Sequence, residues 1–187
     1  MTEATAGPVL PVLPPGHVRP VVRAPAAVLS RAGARLEPTE AETIQLCADL
    51  VATMRVSPGC VGLAAPQIGL AVQAFCVDVT GHAKAHTQHG LLVLLNAEVV
   101  EASRNERSRE GCMSVPDLTG DVKRAGRIVV RGVLPVTGEP VAVTTDAFEA
   151  RALQHEIDHC AGLLFLDRVA GAHAIHPRKV YLDPPTP

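Results

Sequence analysis

Residues 154–162 read Q-H-E-I-D-H-C-A-G, with His155 and His159 four positions apart and Glu156 between them. On an α-helix positions i and i+4 share a face, so both imidazoles can reach one metal ion with a carboxylate beside them for acid/base work. Asp146 and Glu149 have the spacing of a capping box and Gly162 the character of a helix stop, which predicts a helix over 147–161. At 1.5 Å per residue it would be roughly 22 Å long, enough to cross a small domain. Two histidines do not complete a metal site, so a third ligand must come from elsewhere in the chain.

The elements that would position this helix follow from hydrophobic spacing. Thr39 and Glu42 form a second capping-box pattern, and Thr43, Cys47, Leu50, Val51 and Met54 recur at helical intervals up to Ser57-Pro58-Gly59. Residues 72–79, 91–96, 127–133 and 141–144 read as strands, the second apolar on both faces and therefore central. Residues 60–69 are small residues around one amide, Gln67, and suit close backbone approach. His82, His86 and His89 fall in a Gly-bounded polar stretch, which predicts a solvated connection outside the site.

Residues 1–16, rich in Pro, Ala and Gly, read as a flexible tail, and 17–187 as a single catalytic domain. A net charge of −2 over 187 residues removes the bulk footprint of a phosphate-backbone binder, and 2% aromatics with no Trp leaves little to stack bases on. Direct nucleic-acid binding is not expected. The proline-broken N-terminus lacks a signal-peptide pattern, no run reaches membrane-spanning length, and five unevenly spaced cysteines fit reduced thiols. A cytoplasmic location without membrane attachment follows as the expectation.

Cys112 lies in E-G-C-M-S at 110–114. Together with C-V-G-L-A-A-P-Q-I-G at 60–69 and Q-H-E-I-D-H at 154–159, this closely resembles the three signature motifs of the peptide deformylases, in their order and approximate spacing. The resemblance runs from about His17 to Arg168 and implies an α+β fold, with antiparallel and mixed sheets packed around a central metal-binding H-E-x-x-H helix. It implies Cys112, His155 and His159 as metal ligands, Glu156 as general acid/base, and Gln67 with the Met113 N–H as oxyanion donors. The implied activity is removal of the N-formyl group from N-formylmethionine on newly made polypeptides at the ribosome, releasing formate. Substrate would lie beside Gly62, its thioether near Val61 and Phe148. The implied cofactor is one divalent ion, ferrous iron first, with nickel, cobalt or zinc as alternatives; a thiolate ligand suits a soft or borderline ion.

Cys60 departs from the family pattern, which has glycine there, and Cys160 stands where leucine is usual. Glu110 or Asp158 could orient a ligand or pair with Arg124. Three other readings stay open: a zinc endopeptidase, which shares H-E-x-x-H; a metal-holding protein that no longer catalyses; and a specialised paralogue acting on another formamide.

Overall fold

The computed structural model of the chain describes residues 7–178. Six strands form one antiparallel sheet in the order β1-β2-β3-β4-β5, with β6 pairing β4: β1 Gly62–Ala64, β2 Ala74–Val77, β3 Leu92–Cys112, β4 Val115–Val133, β5 Pro140–Asp146 and β6 Ile175–Pro177. Two helices, α1 (Ala41–Val56) and α2 (Ala147–Cys160), complete this α+β architecture.

The sheet is buried on both faces where β2 and β3 meet, because their residues alternate between two cores. Phe75, Val77, Leu92 and Leu94 pack on the α2 side with Leu153 and Ala150, whereas Ala74, Cys76, Val93 and Leu95 pack on the α1 side with Cys47, Leu50 and Met54. This is why 91–95 is apolar at every position and lies centrally.

Several sequence expectations change. The 91–96 strand continues to Cys112, and the 127–133 strand begins at Val115, so the charged segment between them is one long hairpin whose turn is Met113–Ser114. Arg124 therefore sits within β4. At Asn96, in the left-handed region at φ 53, β3 leaves β2 and its ladder with β4 shifts register between Leu95 and Glu98; asparagine tolerates that conformation better than most residues. Within 60–69, residues 62–64 form a short strand.

Neither helix carries the side-chain cap its sequence announces. Thr39 Oγ1 instead donates to Glu37 Oε1 at 3.3 Å. The C-terminal stop of α2 is as expected: Gly162 has φ 77, its N–H donates to His159 O at 3.0 Å, and the Leu163 N–H donates to Asp158 O at 2.8 Å, a Schellman closure.

The Pro-rich segment runs without regular structure from residue 7, with Leu10 and Leu13 half-buried against the α1 core. Asp49, buried on α1, anchors the chain just beyond it. Its carboxylate accepts from the His17 N–H at 2.8 Å, Gln45 Nε2 at 2.9 Å and Arg19 Nη1 at 3.1 Å. Prolines 184, 185 and 187 lie outside the described residues.

Candidate active site

α2 crosses the sheet with one face turned to a cavity of about 230 Å³, room for a terminal residue and not for a folded partner. Phe148, Ala152, His155 and Glu156 project from that face, and His159 lies one turn deeper, 1% exposed. Opposite them stand Cys60, Val61 and Gly62 of the β1 segment, Gln67 from the 3₁₀ turn Ala65–Ile68, and Cys112 with Met113 at the β3–β4 turn. The structure thus gathers every residue singled out from the three motifs.

Cys112 Sγ, His155 and His159 offer one ligand atom each within 4.8 Å of one another. His159 Nε2 lies 3.2 Å from Cys112 Sγ, while its Nδ1 is buried without a partner among the described residues. Tetrahedral ligands at 2.0–2.3 Å from an ion sit roughly 3.3–3.8 Å apart, so a thiol and two imidazoles this close fit a metal with modest adjustment. Burial, with His155 and Arg124 nearby, pushes His159 well down and keeps it neutral, the form that ligates. His155 is opposed: burial lowers it, but hydrogen bonds with Cys112 and Glu110 outweigh that and raise it to about 10, so an arriving ion must displace a proton.

Behind the ligand group lies a buried charge chain. Arg124 Nε and Nη2 donate to Glu110 at 2.6 and 3.0 Å, Arg124 Nη1 donates to Asp158 at 2.7 Å, and Arg168 closes on Asp158 at 2.6 and 3.0 Å. Glu110 Oε2 also lies 3.0 Å from His155 Nδ1, which leaves Nε2 to face the cavity. Both carboxylates considered from sequence are therefore engaged. Glu110 orients the imidazole and pairs with Arg124, and Asp158 is buried in the chain of charges. Burial raises the Glu110 pKa, but the His155 and Arg124 hydrogen bonds prevail and hold it at about 2.

Glu156 has the opposite environment. Burial pushes its carboxyl up to about 7 against the attraction of His155 and Arg124, and its Oε2 is buried with no partner among the described residues. Its Oε1 lies against Gly62, where a Cβ would come within 2.5 Å. Gln67 is fixed from one end: its Oε1 accepts from the Ala64 N–H at 2.9 Å, so Nε2 is turned toward Cys112 Sγ and Ser114 Oγ, each at 3.4 Å.

Cys60 is not among the residues with positive φ, so a side chain there strains nothing. Its thiol donates to the Gly62 carbonyl at 3.0 Å, and burial, with Glu156 near, pushes it up to about 12. That environment is the reverse of the one that makes a thiol reactive. Cys160 is buried in the α2-side core.

The histidine-bearing connection corrects another expectation. The His89 side chain is buried, its Nδ1 2.6 Å from Glu149 Oε2; the His89 backbone N–H donates to Oε1 at 2.9 Å, and Thr145 Oγ1 donates to the same carboxylate at 2.6 Å. Thr87 Oγ1 donates to Asp146 at 2.8 Å. The two residues that read as a capping box thus rivet this connection to α2. His82 then stacks on Phe148 with ring centroids 3.8 Å apart. The cavity wall also includes Lys84, Ser108, Arg109, Arg151 and Arg178, which sequence reading missed. The four-residue spacing of Arg151 and His155 was the available signal.

A sequence model of the polypeptide deformylases matches residues 18–174. The chain belongs to the polypeptide deformylase family. Peptide deformylases are hydrolases that act on N-formylmethionine peptides. The peptide deformylase of Halothermothrix orenii is 43% identical over 128 residues, 68% of this chain and 78% of the relative. That of Desulforudis audaxviator is 38% identical over 160 residues, 85% and 96% of the two chains. Among solved structures, the Thermotoga maritima peptide deformylase superposes with a TM-score of 0.74 at 29% identity, covering 83% of this chain and 99% of the other. An Acinetobacter baumannii peptide deformylase with Met-Ala-Ser bound gives 0.73 at 30% identity, covering 82% and 99%. Among the described residues of this deformylase no helix is long and apolar enough to cross a membrane.

Proposed function

We propose that this chain removes the formyl group from N-formylmethionine at the amino terminus of newly made polypeptides, met at the ribosome in the cytoplasm, and releases formate. One observation carries the reading: Glu156, a buried carboxyl with an oxygen unpartnered among the described residues, lies against the Gly62 backbone on the helix that brings His155 and His159 to Cys112. A protein that only held metal would need neither Glu156 nor Gln67.

Cys112, His155 and His159 hold one divalent ion, ferrous iron first by family, with nickel, cobalt or zinc as substitutes. When bound, such an ion activates a water for attack on the formyl carbon. Glu156 takes the proton from the attacking water and passes it to the departing amine, and a carboxyl raised to about 7 both accepts and donates near neutral pH. The Gln67 amide and the Met113 N–H receive the developing oxyanion. Gln67 is pre-aimed by its bond from Ala64, so it needs little reorganisation at the moment of reaction.

Among the described residues β1 pairs with β2 alone, the Val61 carbonyl accepting from the Asp78 N–H at 2.8 Å, so its other edge lies along the cavity and offers the Gly62 backbone to an extended substrate. Val61 and Phe148 line the same space for the first side chain. The Met-Ala-Ser bound to the Acinetobacter relative is the type of product this reaction leaves.

The test is formate release from formyl-Met-Ala by protein purified anaerobically with ferrous iron or nickel, beside Glu156→Ala. Formate from the native protein and none from a variant holding equal metal is the expected result. Cleavage of an internal peptide bond, or no formate from metal-loaded protein, would overturn the reading.

A further inference from the structure

The cavity wall holds donors that no other described residue satisfies. Among the described residues the buried side-chain polar atoms without a partner are Ser108 Oγ, Arg151 Nε, Glu156 Oε2, His159 Nδ1 and Arg178 Nε, and all but His159 belong to residues lining this cavity. Glu156 is accounted for by the reaction. The others are not. A buried donor left unpaired costs about 1–3 kcal/mol, so such groups persist where a ligand supplies the acceptor.

Their placement is regular. Glu106, Ser108 and Glu110 alternate along β3 and therefore share one face, which meets α2. Glu106 Oε2 accepts from Arg151 Nη2 at 2.7 Å, and Glu110 Oε2 lies 3.0 Å from His155 Nδ1, so Arg151 and His155, four apart on α2, form two rungs across to β3. Ser108 stands between the rungs. The first rung engages only one end of the guanidinium and leaves Arg151 Nε free. Four helical residues rise about 6 Å, so Ser108 and Arg151 lie within the reach of one side chain from the reacting centre.

We propose that Ser108 and Arg151 form a specificity-determining pair that receives a carbonyl oxygen, amide or carboxylate, at the tip of the substrate's first side chain. This rests on the deformylase reading and extends it: the first-residue pocket, apolar at Val61, Phe148 and Ala152, is polar on its β3 side. It accepts formylated glutamine or glutamate as well as methionine, whose thioether is only a weak acceptor. An unbranched hydrocarbon side chain leaves both donors unmatched.

The test uses formyl-Xaa-Ala-Ser peptides with Xaa methionine, norleucine, glutamine or glutamate, measured as kcat/KM for formate release, together with the affinities of the deformylated tripeptides. The native protein should process the glutamine or glutamate peptide at least as well as the norleucine peptide. Arg151→Leu and the milder Ser108→Ala should each lower that rate about tenfold or more, the effect of one lost charge-assisted bond, while raising the norleucine rate. A structural role for either residue would lower all peptides together, and that result overturns the proposal. So does a native preference for norleucine above tenfold with methionine still deformylated, which leaves the proposed function standing. If no peptide releases formate, the deformylase reading fails, and tripeptide affinity decides the pocket alone: glutamine or glutamate binding tighter than norleucine supports the pair, and the reverse order refutes it.

Discussion

The Arg124 guanidinium meets the Glu110 carboxylate in a two-bond pair, 2.6 and 3.0 Å, with only 4% and 9% of the two side chains exposed. The same Glu110 oxygen that accepts from Nη2 also holds His155. Arg124→Leu takes both guanidinium bonds from the buried Glu110 carboxylate, while Asp158 keeps Arg168, and breaking such a pair from one side costs about 3–5 kcal/mol. Urea unfolding should show that loss, and metal affinity should fall about 10- to 100-fold as His155 loses its orientation. Unchanged values for both would remove Arg124 from its supporting role.

Gly62 is the position where a single methyl group should separate chemistry from stability. A Cβ there would sit 2.5 Å from Glu156 Oε1 and 3.0 Å from its carboxyl carbon. Gly62→Ala displaces the proton-carrying group, and displacement by about an ångström lowers rate roughly 100-fold. Steady-state kinetics on formyl-Met-Ala, with metal content and melting temperature in parallel, will show whether the loss lies in kcat/KM.

Gln67→Leu keeps much of the volume at a site 2% exposed but removes the amide. As a lost oxyanion donor it should lower kcat about 100- to 1,000-fold with KM little changed. A loss confined to KM would instead make Gln67 a substrate-binding group.

Removing the ion should lower the melting temperature, since anything bound only by the folded state stabilises it by mass action. Readdition of nickel or cobalt should restore the melting temperature in the native protein and not in Cys112→Ala. Cobalt should also produce a thiolate charge-transfer band that the variant lacks.

Asp49 supplies an acid-labile element. Burial alone would raise its pKa, but the His17 N–H, Gln45, Arg19 and the His17 ring together hold it below the ordinary aspartate range. A lowered folded pKa means the stabilisation is complete above the unfolded value of roughly 4 and disappears as pH falls through the folded one. Asp49→Asn should be about 1.5–3 kcal/mol less stable at neutral pH, the range for hydrogen bonds to a charged group, and its stability should depend less on pH below 4. Denaturation at pH 3, 5 and 7 checks both.

The parts of this molecule that were legible are those whose reasons are local. α1 and α2 announce themselves by helical spacing, the central strand by its continuous apolar run, and the site by three motifs. What was hidden depends on distant partners. Residues 97–111 show no strand pattern because much of that stretch of β3 is exposed on both faces and, among the described residues, β4 is the one strand that pairs with it. Asp146 and Glu149 resemble a cap until Thr87 and His89, some sixty residues earlier, claim them. His89 looks solvated because nothing near it in sequence says that Glu149 will bury it.

That same exposed stretch of β3 bears on how the protein behaves in company. Beyond Asn96 its outer edge has no strand beside it among the described residues, and 101–107 present a row of open backbone donors and acceptors. Such an edge invites a second chain to zip onto it. Glu101, Arg104 and Arg107 set charges of both signs along this edge, and a docking strand would have to strip water from each of them. These three side chains are therefore expected to oppose self-association at high concentration, and replacing them with Val or Thr should turn the chain into a nucleus for aggregates while leaving its interior untouched.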